Sequence, residues 1–393
     1  MITVAQPPAH ATPAETLPSF PWDTIAEYKD LAARHPDGLI DLSVGSPVDR
    51  VPVAVRTALA DGSDSPGYPQ VAGTRELRGA YAAWLARAHG VSVEPANVLP
   101  TIGSKELVAS LPGQLGLGAG DTVVIPELAY PTYEVGVRMA GATLVRGDAA
   151  DLVTANLGAG NLGAGNLGAG NLGAKKPVSM IWLNSPSNPT GAVLSSAEMA
   201  RVVAWARARG VIVASDECYI DLGWDVTPQS ILDAEVSGGD HTGLLAVHSL
   251  SKRSNLAGYR LGFVSGDPAL VARLTALRRH LGLIVPGPVQ AAGVAALTDD
   301  APVMAQRSRY AARRDALTAA LGRAGFTIEH SAAGLYLWCT RGEAALDSVA
   351  YLAARGILVA PGTFYGPAGA RYVRVALTAT DERVAAVAAR LAP

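Results

Sequence analysis

The chain is 393 residues long and 49% apolar, with 32 basic and 34 acidic side chains. That length exceeds what a single hydrophobic core serves, so two domains are expected, and the near-neutral balance gives no argument for nucleic acid or an anionic membrane as partner. The two cysteines, Cys218 and Cys339, are too few for a disulfide framework and fit a reducing cytoplasm, and no apolar run approaches a membrane-spanning length.

Residues 1–18 are rich in Ala and Pro. Lacking a basic stretch followed by a long apolar one, they read as a disordered tail rather than a signal peptide. From Val53 to about His280, helical patterns alternate with short apolar runs at Val123–Ile125, Met180–Leu183, Val211–Ala214, Leu244–Val247 and Leu261–Val264. Such alternation predicts a mostly parallel sheet covered by helices, a large α/β domain over residues 51–287. Residues 155–174 interrupt it with four copies of a small residue followed by Asn-Leu-Gly-Ala, similar to pentapeptide β-helix repeats. Four units would wind only about one coil, and a solenoid needs stacked neighbours to bury a core, so a flexible glycine-rich surface insertion is the expectation. After Pro288 come Ala-rich helical patterns and then Gly334–Trp338, Ile357–Pro361 and Tyr372–Leu377, which predict a smaller α+β unit.

Chemistry concentrates at the ends of the apolar runs. Ser249-Leu-Ser-Lys252 follows one of them. A desolvated lysine there can form a Schiff base, and pyridoxal 5'-phosphate is the aldehyde most often held in this way. Taken alone, the motif is more simply a strand end with a solvated lysine. Arg260 follows a glycine turn that can return a planar cation toward a phosphate. Val211-Ile-Val-Ala-Ser-Asp216-Glu-Cys-Tyr219 ends in a carboxylate where open α/β sheets bind ligands, although a helix N-cap explains Asp216 equally well. Ile181-Trp-Leu-Asn184-Ser-Pro-Ser-Asn188-Pro-Thr-Gly191 is a strand entering a turn, and Thr101-Ile-Gly103-Ser104-Lys105 opens a helix whose free amides suit a phosphate.

The order of an Asn-Pro-Thr-Gly turn, an Asp-x-x-Tyr strand end and a Ser-x-Ser-Lys strand end resembles the class I/II aminotransferases of pyridoxal-phosphate fold type I. The resemblance covers nearly the whole chain beyond the tail. It implies that Lys252 carries the cofactor, that Asp216 pairs with the ring nitrogen, and that Asn188 and Tyr219 reach the ring hydroxyl. Backbone amides at Ser104 and Lys105, with Ser249 and Arg260, would cradle the phosphate, and Tyr130 would stack on the ring. Tyr68 would reach the phosphate of a neighbouring subunit, which implies a homodimer with shared active sites. Arg374 would clamp the substrate α-carboxylate. The small domain would combine residues 19–50 with 288–393 and bring Gly45 close to the substrate.

Asp41–Asp49, Ser65–Pro69, His248–Tyr259 and Val373–Arg383 further resemble the actinobacterial succinyldiaminopimelate transaminases. This implies glutamate as donor and N-succinyl-2-amino-6-oxopimelate as acceptor, in lysine and diaminopimelate biosynthesis. Arg279, just before Val285-Pro-Gly-Pro288, is the choice for a distal carboxylate, against a solvated basic helix face. Another transaminase or a β-lyase would use the same cofactor residues. A cofactor-binding regulator would need a DNA-binding segment ahead of Phe20, for which no room is expected.

Overall fold

The computed structural model describes residues 17–154 and 177–392. The repeat segment 155–174, and all but the last two residues of the expected tail, lie outside the described residues. After the short β1 (Ile40–Asp41) come β2 (Val98–Thr101), β3 (Thr122–Ile125), β4 (Thr143–Arg146), β5 (Val178–Asn184), β6 (Ile212–Asp216), β7 (Leu244–Ser249) and β8 (Gly262–Gly266). These last seven form one sheet in the order β2-β8-β7-β6-β5-β3-β4. From β4 to β7 the neighbours are parallel, whereas β8 is antiparallel to both β7 and β2.

Helices cover both faces, so the inner strands read as unbroken apolar runs instead of alternating ones. Every residue of β3 and β7 is buried. Successive side chains divide between two layers. Val213, Leu244 and Ala246 pack in one cluster with Trp84 of helix Arg75–His89 and Met199 of helix Ser196–Arg207. Ala214, Leu245 and Val247 pack in the other with Leu107 of helix Ser104–Gln114, Tyr133 of helix Thr132–Met139 and Leu270 of helix Pro268–Leu281. Local signals start these helices: Ser195 and Glu198 form a reciprocal capping box, and Asp267 caps a helix with Pro268 in its first turn.

A second sheet, β12-β13-β10-β9, is built from β9 (Thr327–Glu329), β10 (Tyr336–Thr340), β12 (Ala360–Pro361) and β13 (Val373–Ala376), all antiparallel. Its core joins Leu317 and Leu321 of helix Ala301–Arg323 to Val349, Val373 and Val375. The intervening β11 (Ile357–Leu358) pairs in parallel with β1, Ile40 opposite Ile357. The N-terminal chain is thereby drawn onto the C-terminal unit.

Several expected runs shift by one or two residues, Leu261–Val264 to Gly262–Gly266 and Gly334–Trp338 to Tyr336–Thr340 among them. The run at Val211–Ala214 becomes β6, which begins at Ile212 and continues through Asp216, so the carboxylate sits on the strand's last residue. β2 has no counterpart among the expected runs. It contains Pro100, which a strand tolerates at a sheet edge, where ladder donors are needed on one side only.

Candidate functional site

The parallel strands β5, β6 and β7 end side by side, with Asn184 opposite Asp216, and their carboxyl ends open into a cavity of about 540 Å³. At the end of β7 the Ser249 hydroxyl accepts from the amide of Ser251 at 3.1 Å and turns the chain into a one-turn helix, Leu250–Arg253. That turn aims Lys252 into the cavity, where its amine donates to the carbonyl of Gly45. Burial lowers the Lys252 pKa, and the nearby Arg374 and Arg260 push the same way.

Asp216 is buried. One carboxylate oxygen accepts from the Tyr133 hydroxyl at 2.8 Å and the other from the Cys218 amide at 3.2 Å. Burial raises its pKa, while bonds from Cys218 and Tyr133 oppose the rise. Asn184 ties the neighbouring turn in place, donating to the Asp216 carbonyl at 3.0 Å and accepting from the Asn188 amide at 2.7 Å.

Arg374 enters from β13. It donates to the Asn188 side-chain oxygen at 2.8 Å and to the Ser43 carbonyl at 2.7 Å. Its guanidinium carbon lies 3.8 Å from the Tyr336 ring centroid and 4.9 Å from that of Tyr365, and its Nε is buried with no hydrogen-bond partner among the described residues. A planar cation held between two rings presents its fork in a fixed direction. The Tyr336 hydroxyl stands 3.2 Å from that of Tyr219. Burial alone would raise the Tyr336 phenol, but Arg374 and Lys252 outweigh it and lower its pKa, while burial and Tyr336 push Tyr219 up. Residue 45 must be glycine here, because a Cβ would lie 2.6 Å from a Tyr336 ring carbon.

At the opposite wall, helix Ser104–Gln114 starts from Gly103 with no side chain among the described residues capping it. Its first amides are therefore free for an anion. Arg260 lies across this end: Gly103 has a φ of +74°, and a Cβ there would come within 2.8 Å of the guanidinium carbon. Ser104, Lys105, Ser249 and Arg260 all line the cavity, as does Tyr130, whose ring meets Tyr133 edge-on at 6.2 Å. Open helix amides beside a guanidinium, a depressed lysine amine and a buried aspartate fit a phosphorylated pyridine aldehyde.

The structure thus brings together Lys252, Asp216, Tyr219, Asn188, Tyr130, Ser104, Lys105, Ser249, Arg260, Gly45 and Arg374. Tyr68 and Arg279 are exposed and do not line the cavity of the single chain. Sequence reasoning assigned nothing to Tyr133, Tyr336 or Ser43, or to Phe20, Trp22 and Lys29 at the mouth. A buried tyrosine carries no local signal that separates it from core.

The chain belongs to the aminotransferase class I and II family, whose model matches residues 37–391. Enzymes of this family use pyridoxal phosphate, and the chain is an aminotransferase. It is 58% identical to a probable aminotransferase of Mycobacterium tuberculosis, over 98% of this chain and 87% of that one. It is 57% identical to the 4-dedimethylamino-4-oxo-anhydrotetracycline transaminase OxyQ of Streptomyces rimosus, over 95% of this chain and 99% of that one. Among solved structures, the N-succinyldiaminopimelate aminotransferase of Mycobacterium tuberculosis superposes with a TM-score of 0.83 at 28% identity, covering 98% of this chain and 99% of that one.

Proposed function

We propose that this enzyme moves an amino group between glutamate and N-succinyl-2-amino-6-oxopimelate, forming N-succinyl-L,L-2,6-diaminopimelate for lysine and diaminopimelate biosynthesis in the cytoplasm. The observation that carries the reading is the reach of the cavity, from buried Arg374 to exposed Phe20, which leaves room beyond a carboxylate clamp for a long acylated tail. Likeness to the solved N-succinyldiaminopimelate aminotransferase supports the same substrate. In this reading residues 51–287 hold the cofactor, residues 19–50 with 288–393 close over it, and two subunits pair so that Tyr68 of each serves the other.

Pyridoxal phosphate, when bound, supplies an aldehyde that holds an amine covalently and a ring that accepts electron density. The amides of Ser104 and Lys105, the Ser249 hydroxyl and Arg260 hold the phosphate, and Tyr130 stacks on the ring. Asn188 and Tyr219 bind the ring hydroxyl, and Asp216 keeps the ring nitrogen protonated. The Arg374 fork grips the α-carboxylate, bidentate geometry that an ammonium does not offer. Lys252, its amine held closer to neutral by burial, would take the substrate α-proton at Nζ and, as a general acid, pass it to the cofactor carbon instead of back to the α-carbon.

A second reading has a specific observation behind it. Phe20 and Trp22 form an aromatic rim with centroids 5.5 Å apart, and Trp22 is backed by Phe364 at 5.3 Å. Such a rim suits a polycyclic ketone, the acceptor for which OxyQ is named. Glutamate offered with each acceptor, and 2-oxoglutarate release followed, separates the two. A kcat/KM about a hundredfold higher for the succinylated acceptor supports the first reading, since matched polar contacts discriminate at least that strongly. The reverse preference supports the second.

A further inference from the structure

Glu198 and Glu106 hold the same position, third in their helices, and do opposite things. In helix Ser196–Arg207, Glu198 folds back so that its carboxylate accepts from the Ser195 amide at 2.8 Å, closing the helix start. In helix Ser104–Gln114, Glu106 turns instead toward helix Pro268–Leu281, where Arg278 donates to both of its oxygens, Nη1 at 2.9 Å and Nη2 at 2.8 Å. Arg278 has no solvent exposure and sits in the last turn of its helix, where a cation is favoured. Ser110, one turn along from Glu106, donates to the same carboxylate at 3.1 Å. Ser104 and Lys105 line the cavity, whereas Glu106 beside them does not.

We propose that Arg278 is a positioning residue for the cofactor: by drawing Glu106 away from the start of helix Ser104–Gln114 and cancelling its charge, it keeps the first amides of that helix open to the phosphate. The proposal rests on the reading of that helix start as the phosphate site. A glutamate in third position can reach back to the helix start, as Glu198 does at its own helix, and an unpaired carboxylate there repels a phosphate. Among the described residues, Arg278 is the cation paired with Glu106. Holding the two helices together does not depend on it alone, since Arg273 of the same helix donates to the Leu115 carbonyl at 3.1 Å. A fully buried guanidinium is costly unless its partner meets it squarely, and the two-pronged grip on Glu106 meets that condition.

The test titrates full-length enzyme, freed of cofactor, with pyridoxal 5'-phosphate and with pyridoxal, which lacks only the phosphate, and follows binding by visible absorbance. Arg278→Met should weaken binding of the phosphorylated aldehyde about tenfold, the size of effect expected of a freed carboxylate at a helix start, and leave pyridoxal unchanged. Adding Glu106→Gln to Arg278→Met removes the competitor and should restore binding to within about twofold of the parent. Arg273→Met, which cuts the other tie between the helices without touching Glu106, should change neither titration. An equal loss for both aldehydes, a double variant as weak as Arg278→Met, or a matching phosphate-selective loss in Arg273→Met overturns the proposal. If Arg278→Met does not fold, Arg278→Gln takes its place with the same expectations. A parent that binds pyridoxal as tightly as its phosphate refutes the phosphate site itself and the proposal with it, whereas a strong parent preference left intact by Arg278→Met overturns the proposal alone.

Discussion

Lys252 and Asp216 show what one low-dielectric cavity does to opposite charges. Burial disfavours the ionised form of each, lowering the amine and raising the carboxyl. For the lysine this favours the neutral nucleophile. Lys252→Ala should therefore lose the visible absorbance of the bound cofactor together with nearly all turnover, and a variant that transaminates like the parent would refute the assignment. For the aspartate in its proposed role the same effect is a liability, because a protonated carboxyl cannot hold a proton on the ring. Tyr133 offsets it by donating to Asp216 at 2.8 Å. Tyr133→Phe removes a bond that lowers the Asp216 pKa, so the carboxyl should ionise only at higher pH. The acid limb of the kcat/KM profile should then move upward, with turnover down about tenfold, the worth of one hydrogen bond to a charged group. An unmoved acid limb would mean that the tyrosine only fills space.

At the level of elements, the site is a meeting of three strand ends with a strap, Ser43 to Asp49, crossing above them. The strap is tied at several points: the Ser43 carbonyl accepts from Arg374, that of Val44 from Thr378 and that of Gly45 from Lys252. Asp49 anchors its far end, accepting from both terminal nitrogens of Arg313 at 2.7 and 2.8 Å and from Gln306 at 2.8 Å. Burial alone would raise the Asp49 carboxyl, but these bonds outweigh it and hold it below the usual range. Asp49→Ala leaves Arg313 buried without its bidentate partner and should cost about 3 kcal/mol, a drop of several degrees in Tm. Because the folded pKa is depressed, the contribution is complete at neutral pH. It fades as pH falls below about 4 and through the folded value, so parent and variant should converge in acid. Asp216, Ser249 and Lys252 were legible in sequence because each follows an apolar run that ends where ligands bind. Tyr133 and Tyr336 were not, since their partners lie 83 and 117 residues away and a buried tyrosine looks the same whatever its hydroxyl meets. β2, which contains Pro100, was not read either, and the edge position that makes a proline tolerable there is a property of the finished sheet.

For the whole molecule, Tyr68 is fully exposed in the single chain, the geometry of a side chain available to a second copy. Mixing Tyr68→Ala subunits with Lys252→Ala subunits should restore one competent site per hybrid dimer, and no recovery would show that Tyr68 does not act across an interface. The pairing of β1 with β11 has a consequence in time. The ribosome delivers Ile40 roughly 300 residues ahead of Ile357, an interval of about 15–60 s at ordinary synthesis rates. The main sheet has all its strands once Gly266 has emerged, yet Ile40 and Leu42, buried in the finished protein, must wait uncovered for most of translation. During that wait they are exposed to mispairing and to chaperones. A nascent chain paused before Ile357 would already own Asn188, Asp216, Ser249 and Lys252 but not Arg374, so the groups proposed to hold the cofactor are synthesised well before the one proposed to grip a substrate.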